Sequence, residues 1–268
     1  MQILFVGCGN MGGAIVSGML QSCNFAKDEI SAILPLHSPD MYKTEKRFGI
    51  KVYNSFPSER NFDAILFAVK PQTFYEILPS YREALTGVNT LVISIAAGKT
   101  TKYLASFFST QPIVRVMPNI NALVGKSVSV AYSNKPLSSE QNELVQKIFT
   151  SVGTLNFVKD ENILNAVTAV SGSGPAYFFQ FVEYMIDAAI QLGLDDKLSH
   201  ALATETFIGS AKLLENEKVS LAELRAYVTS PGGTTAAALQ VFNENDKLKA
   251  LAEAALKAAC KRATELSE

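Results

Sequence analysis

Two glycine clusters hold the residues whose types and spacing can do chemistry. The first, GCGNMG, puts Gly7, Gly9 and Gly12 in G-x-G-x-x-G register between an apolar run and an amphipathic stretch. Gly7 permits a tight turn, Gly9 lets a pyrophosphate approach the backbone, and Gly12 lets helix and strand pack closely. The N–H groups opening the next helix then supply donors and a favourable dipole for phosphate. Cys8, Asn10 and Met11 line the same turn. A glycine-rich turn that holds nothing is the competing reading, and the strand–turn–helix context counts against it. The second cluster, SPGGTT, spans residues 230–235 and leads at once into AAALQVF, a good helix former. Its proline and glycines bend the chain, and the N–H groups at the mouth of the helix can hold a small anion. Thr234 could equally cap its own helix, and a cap can coexist with binding.

The elements that must position these clusters divide the chain in two. QILFV (2–6), ISAIL (30–34), FDAILFAV (62–69), NTLVISIA (89–96) and PIVRVM (112–117) read as strands, with amphipathic helical stretches between them. Near-continuous apolar strands alternating with helices indicate a mainly parallel sheet covered on both faces, a doubly wound α/β domain of Rossmann type. SVSVAYS (127–133) and TLNFV (154–158) extend it around a helix beginning near Ser138. From about Asp160 strand signals vanish and alanine- and leucine-rich helical stretches run onward. The expected domains are therefore 1–160, dinucleotide-binding, and 161–268, helical.

Ligands of open α/β sheets bind at the carboxyl ends of the strands. AVKPQ places Ala68, Val69, Lys70 and Pro71 at one such end, and SIAAG places Ala96, Ala97 and Gly98 at another. The small residues let a flat ring lie against them, while Lys70 reads either as a cofactor contact or as a solvated strand end. RVMPN adds Asn119, an amide donor for a nicotinamide. An NAD site usually carries an acid at the end of the second strand, on the ribose hydroxyls. No carboxylate occurs from Ile30 through Pro39, and His37 and Ser38 could accept a 2′-phosphate. That leans toward NADPH, with NADH the alternative.

A formal net charge of −1 gives no electrostatic case for nucleic acid or an anionic membrane. No run of about 18 apolar residues suggests a membrane span. Three cysteines and two histidines form no metal-ligand spacing, so no metal is expected. The first residues lack the basic and apolar regions of a signal peptide, and a reducing cytoplasm is the expected compartment.

The helical half opens with SGSGP, where Pro175 suits a first helical position behind a serine or glycine cap. Gln180, Glu183, Asp187 and Gln191 form one narrow polar stripe, and aromatic and aliphatic residues cover the rest of that helix. A helix apolar on more than one face needs more than one neighbour. Interleaved helices of a homo-oligomer meet that need; a central core helix in a monomer is the alternative.

GCGNMG, AVKPQ, SIAAG, RVMPN, SGSGPAY and VTSPGGTTAAALQVF, in this order, resemble pyrroline-5-carboxylate reductase over nearly the whole chain. The resemblance implies a Rossmann domain followed by an all-α dimerisation domain, with dimers assembled into larger rings, a decamer among them. It implies reduction of the cyclic imine pyrroline-5-carboxylate to proline with NAD(P)H, and it adds Asn54 to the cofactor residues. In the second cluster it implies backbone donors from Gly233, Thr234 and Thr235 and a hydroxyl from Ser230 for the substrate carboxylate. The Thr235 hydroxyl would face the imine nitrogen, orienting it or relaying a proton. Tyr227 departs from the resemblance, standing where many relatives carry a smaller polar residue.

The chemistry agrees with what this half lacks. From Asp160 to Asp196 there is no lysine, arginine or histidine. A β-hydroxyacid dehydrogenase, the alternative enzyme with the same two-domain plan, would place a lysine there as base. A dinucleotide-binding regulator without catalysis would have no use for an intact SPGGTT, and a purely structural oligomer would need neither cluster.

Overall fold

A computed structural model describes residues 1–34 and 39–267, except the side chains of residues 39–43. His37 and Ser38, the residues read as 2′-phosphate contacts, lie outside the described residues. The chain forms two compact units, one of Met1–Ser173 with Ala259–Glu268, the other of Gly174–Ala258.

The first unit is built on one sheet. Its strands are β1 (Ile3–Val6), β2 (Ile30–Ile33), β3 (Lys51–Tyr53), β4 (Ala64–Phe67), β5 (Leu91–Ser94), β6 (Ile113–Met117), β7 (Ser127–Ser133) and β8 (Gly153–Phe157). They lie in the order β3-β2-β1-β4-β5-β6-β7-β8. The first six pair in parallel, in the 3-2-1-4-5-6 order of a dinucleotide-binding sheet. β7 then runs antiparallel to β6, and β8 parallel to β7. β3 went unread in the sequence because KVY is short and lies at the sheet edge, with Lys51 exposed and Val52 and Tyr53 only half-buried.

Strand periodicity sorts the core onto two faces. Ile3, Phe5, Ala64, Leu66, Leu91, Ile93, Val114 and Val116 pack on one side. There they meet α1 (Asn10–Gln21) and α5 (Ser139–Thr150). Leu4, Val6, Ile65, Phe67, Val92 and Ile113 face the other side, against α3 (Phe74–Ala84) and α4 (Thr101–Ala105). Both faces are buried, which is why these strands are apolar throughout rather than alternating. Helix α2 (Pro39–Phe48) links β2 to β3. Helix α5 starts where the sequence indicated, on a reciprocal cap in which Ser138 and Gln141 bond each other's backbone.

The last strand ends at Phe157, in keeping with the change of character expected near Asp160. That change nevertheless falls inside the first compact unit. Leu164, on α6 (Ile163–Val167), is buried with Met117 and Val130 of the sheet, so the chain stays with the first unit up to Ser173. A π-helical turn at Thr168–Gly172 follows. Pro175 is the second residue of α7 (Gly174–Gln191), and the Ser171 hydroxyl bonds back to the Val167 carbonyl at 3.0 Å.

The second unit is helical: α7, α8 (Asp196–Asn216), α9 (Leu221–Tyr227), α10 (Thr234–Asn243) and most of α11 (Lys247–Glu265). Gly193, at φ +94°, ends α7, and the Asp195 carboxylate caps α8 by accepting from the Leu198 N–H at 3.0 Å. Phe178 of α7 meets Phe207 of α8 at 5.9 Å, and Phe181 meets Phe242 of α10 at 6.3 Å. Even so, Gly174, Pro175 and Ile186 are the only α7 residues buried within the chain. Phe178, Phe179, Phe181, Tyr184, Met185 and Ile190 are each at least 41% exposed. Within the helical unit α7 is thus not a buried core helix, and an apolar face this exposed needs a further surface to cover it. Replacing Phe178 and Phe179 together by aspartate is expected to reduce the assembly to the 29.0 kDa single chain, as read by light scattering on an eluting column. No helix among the described residues is long and apolar enough to cross a membrane.

Candidate active site

The first cluster sits where the strand order reverses. β1 and β4 pair with Val6 opposite Phe67, so Gly7 and Ala68 leave the sheet side by side. Gly7 turns at φ +88°, and its N–H donates to the Ile33 carbonyl at 3.0 Å. A Cβ on Gly7 would stand 2.7 Å from Val69 and 2.9 Å from the Ala68 carbonyl. A Cβ on Gly12 would stand 2.9 Å from the Gly7 carbonyl and 3.0 Å from the Ala68 Cβ. Gly9 differs, because a Cβ there would meet nothing among the described residues within 4 Å. It is the N-cap of α1, no side chain caps the helix, and no acid occupies the first turn. The backbone donors at that end therefore open onto space, and this cradle fits a pyrophosphate. Gly12→Ala is expected to cost about 1–3 kcal/mol of stability by forcing α1 off the sheet, read as a lower midpoint in urea unfolding.

The other expected cofactor residues also lie at carboxyl ends of strands. Ala68 and Val69 are half-buried after β4, the Ala68 N–H donates to Val6 at 2.8 Å, and Lys70 is exposed ahead of Pro71. Asn54 is exposed just after β3. Ala96 is buried and Ala97 exposed after β5, while Gly98 turns at φ +73° beneath the Leu266 carbonyl. Cys8 is buried, Met11 half-buried and Asn10 exposed. Asn119 is 5% exposed, and its amide nitrogen donates to the Ser171 carbonyl at 3.1 Å. Its amide oxygen accepts from the Val128 N–H at 3.4 Å. One hydrogen of the expected nicotinamide donor is thus spent on tying the SGSGP segment to the end of β6. Beside this region Lys99 lies 4.4 Å above the Tyr75 ring and 4.7 Å from that of Tyr103. Burial, with a smaller effect of Tyr75, raises the Tyr103 hydroxyl pKa above the ordinary phenol value, so it stays neutral at physiological pH.

The second cluster is a turn followed by a helix start. The Gly233 N–H donates to the Ser230 carbonyl at 3.0 Å, across Pro231 and a Gly232 at φ +70°. Proline second and a positive φ third is the pattern of a type II turn. The Ser230 hydroxyl stands against Gly233 where a Cβ would be. Gly233, not Thr234, is the N-cap of α10, and no side chain caps it. The donor expected of Gly233 is therefore spent inside the turn. The first i→i−4 bond runs from Ala237 to Gly233 at 3.1 Å. Helix geometry leaves the N–H groups of Thr234, Thr235 and Ala236 without an acceptor in the chain's own helix. Thr235 is half-buried and Thr234 exposed; Tyr227, at the end of α9, is exposed as well.

Sequence reasoning missed a group beside the Ala96–Gly98 loop. Arg115 of β6 is 2% exposed and donates to Glu161 at 3.1 Å, and Glu161 also accepts from the Thr101 N–H at 2.8 Å. The available signal was an arginine in the middle of an otherwise apolar, buried strand, IVRVM.

Residues 161–266 match the family model described as pyrroline-5-carboxylate reductase dimerisation. Residues 2–98 match the model described as NADP oxidoreductase coenzyme F420-dependent. The pyrroline-5-carboxylate reductase of Pseudomonas aeruginosa is 37% identical, over 100% of this chain and 97% of its own length. The chain belongs to the pyrroline-5-carboxylate reductase family. Among solved reductases, that of Coxiella burnetii superposes with a TM-score of 0.90 at 32% identity, covering 100% of this chain and 98% of its own. The reductase of Plasmodium falciparum, solved with NADP bound, gives 0.84 at 31% identity, with 100% and 98% covered. The dimerisation match covers the exposed apolar helix α7, and the chain forms a homo-oligomer.

Proposed function

We propose that this chain reduces the cyclic imine 1-pyrroline-5-carboxylate to L-proline, the last step of proline biosynthesis, with NADPH preferred to NADH. The observation that carries the reading is the uncapped start of α10, where Thr234, Thr235 and Ala236 present backbone donors behind a rigid turn. The names of its full-length relatives support the same substrate. When bound, the reduced nicotinamide supplies the hydride.

Everything else falls to the chain. The GCGNMG turn holds the pyrophosphate on its backbone, and the small residues after β4 and β5 take the flat parts of the cofactor. The α10 start holds the substrate carboxylate by N–H donors and dipole. The imine carbon would take the hydride that the bound cofactor supplies and the nitrogen a proton, giving the secondary amine. The Thr235 hydroxyl orients that nitrogen or relays the proton to it. SPGGTT holds no acid, base or other titratable side chain, so rate enhancement rests on orientation in a neutral site. The lack of a carboxylate from Ile30 through Pro39 favours NADPH. A decamer built from dimers and a cytoplasmic location complete the proposal.

The test is loss of reduced-cofactor absorbance with pyrroline-5-carboxylate, run in parallel with NADPH and NADH. Rapid oxidation is expected, faster with NADPH. Cofactor binding without oxidation would sink the substrate assignment, and a clear advantage for NADH would sink the 2′-phosphate reading.

A further inference from the structure

We infer that Glu161 and Asn165 are positioning residues that hold the Ala96–Gly98 loop in the shape that receives the cofactor. The inference rests on the dinucleotide reading above. The loop leaves β5 at Ser94 and is not helical until Thr101, so its shape must come from what touches it. At its far end Thr101 donates its N–H to Glu161 Oε1 at 2.8 Å and its hydroxyl to Oε2 at 2.6 Å. The same carboxylate accepts from Arg115 at 3.1 Å, and Arg115 extends from the next strand of the sheet. In the middle of the loop, Gly98 lies under the Leu266 carbonyl so closely that a methyl group would collide with it. That last turn of chain is held by Asn165, which donates to Thr264 Oγ1 at 3.3 Å and accepts from the Ser267 hydroxyl at 3.3 Å.

Glu161 and Asn165 are four residues apart, so one short segment grips the loop directly at Thr101 and, through the C-terminal turn, at Gly98. Stability alone does not account for the arrangement. Arg115 and Glu161 are 2% and 17% exposed, and buried pairs of this kind gain little over apolar side chains of the same volume. Arg115 Nε is buried without a partner, a further cost. What a charged pair gives and an apolar one does not is a fixed register between groups, here between the ends of β5 and β6. Both ends are followed by residues expected to contact the cofactor, Ala96–Gly98 after β5 and Asn119 after β6.

The experiment is titration with NADPH, followed by nicotinamide fluorescence, with thermal unfolding of the ligand-free protein on the same samples. Glu161→Ala is expected to raise the Kd for NADPH about tenfold or more, while KM for the imine moves less than about twofold. Glu161→Gln should recover part of the loss, because its amide oxygen still accepts from Thr101. Thr101→Val removes a single hydrogen bond and Asn165→Ala releases only the C-terminal turn. Each should raise Kd by a smaller factor, and they carry the test if Glu161→Ala does not fold. A lowered Tm with unchanged Kd in every folded variant would overturn the inference and leave a stability brace. No binding of NADPH by the unaltered protein would instead overturn the dinucleotide reading, and this inference with it.

Discussion

Thr235→Ala lowers kcat by about a hundredfold or more, the range for losing one positioned proton donor or hydrogen-bond donor in a reaction centre. Thr235 is the second residue of α10, so its backbone N–H remains after the change and stays available for the proposed contact with the substrate carboxylate. KM for the imine should therefore rise far less than kcat falls. Alanine is at least as good a helix former as threonine and no side-chain cap is lost, so Tm should hold. NADPH affinity should also hold, since the GCGNMG turn belongs to the other unit. Thr235→Ser keeps the hydroxyl and should recover most of the rate. Steady-state kinetics on the two variants decide the matter, and an unchanged kcat in Thr235→Ala would remove the hydroxyl from the mechanism.

Gly9→Leu abolishes cofactor binding while leaving the fold intact. The two halves of that statement come from one observation. A Cβ at Gly9 would meet no atom of the described residues within 4 Å, and its backbone, at φ −72° and ψ −155°, is extended. The described residues leave room for the added Cβ, and loss of a glycine slightly restricts the unfolded chain. The open space is the cradle, however, and a leucine would fill it. The Kd for NADPH is expected to rise more than about a hundredfold, a loss of about 2.7 kcal/mol or more. Thermal unfolding with and without NADPH checks both halves. The ligand should raise the Tm of the unaltered protein, as binding to the folded state must, and should leave the variant's Tm where it was. A variant that is still stabilised by NADPH would contradict the phosphate-cradle reading. Gly12→Ala makes the contrast, since it should weaken the fold through contact with Gly7 and Ala68.

Much of this site was legible in the sequence because local chemistry wrote it there. A G-x-G-x-x-G turn, a helix starting at Ser138 and a type II turn at Ser230–Gly233 each depend on residues a few positions apart. Glycine and proline restrict the backbone so strongly that their spacing reports its path. The parallel sheet was legible for a related reason, since strands buried on both faces must be apolar throughout. The short edge strand β3 carries no such signal, and it was missed.

Contacts between distant segments were not legible. That the Gly233 N–H is consumed within its own turn depends on the angle at which Gly232 folds it back. That Asn119 is tied to Ser171 depends on a segment 52 residues away. The partner of Arg115 stands 46 residues on, and the cover on Gly98 comes from Leu266, just past the end of α11. Patterning identifies which side chains leave water but not which of them meet. The exposed apolar face of α7 shows the same division: composition alone required something to cover it, and its exposure within the folded chain excludes the core of its own helical unit as that cover. The residue types thus carried the two glycine-rich turns, because those are local, and the resemblance resting on such motifs implied the reaction class. The bracing of the cofactor loop and the need for a second copy arose from packing, where the free energy of a contact depends on what the rest of the chain has already brought close.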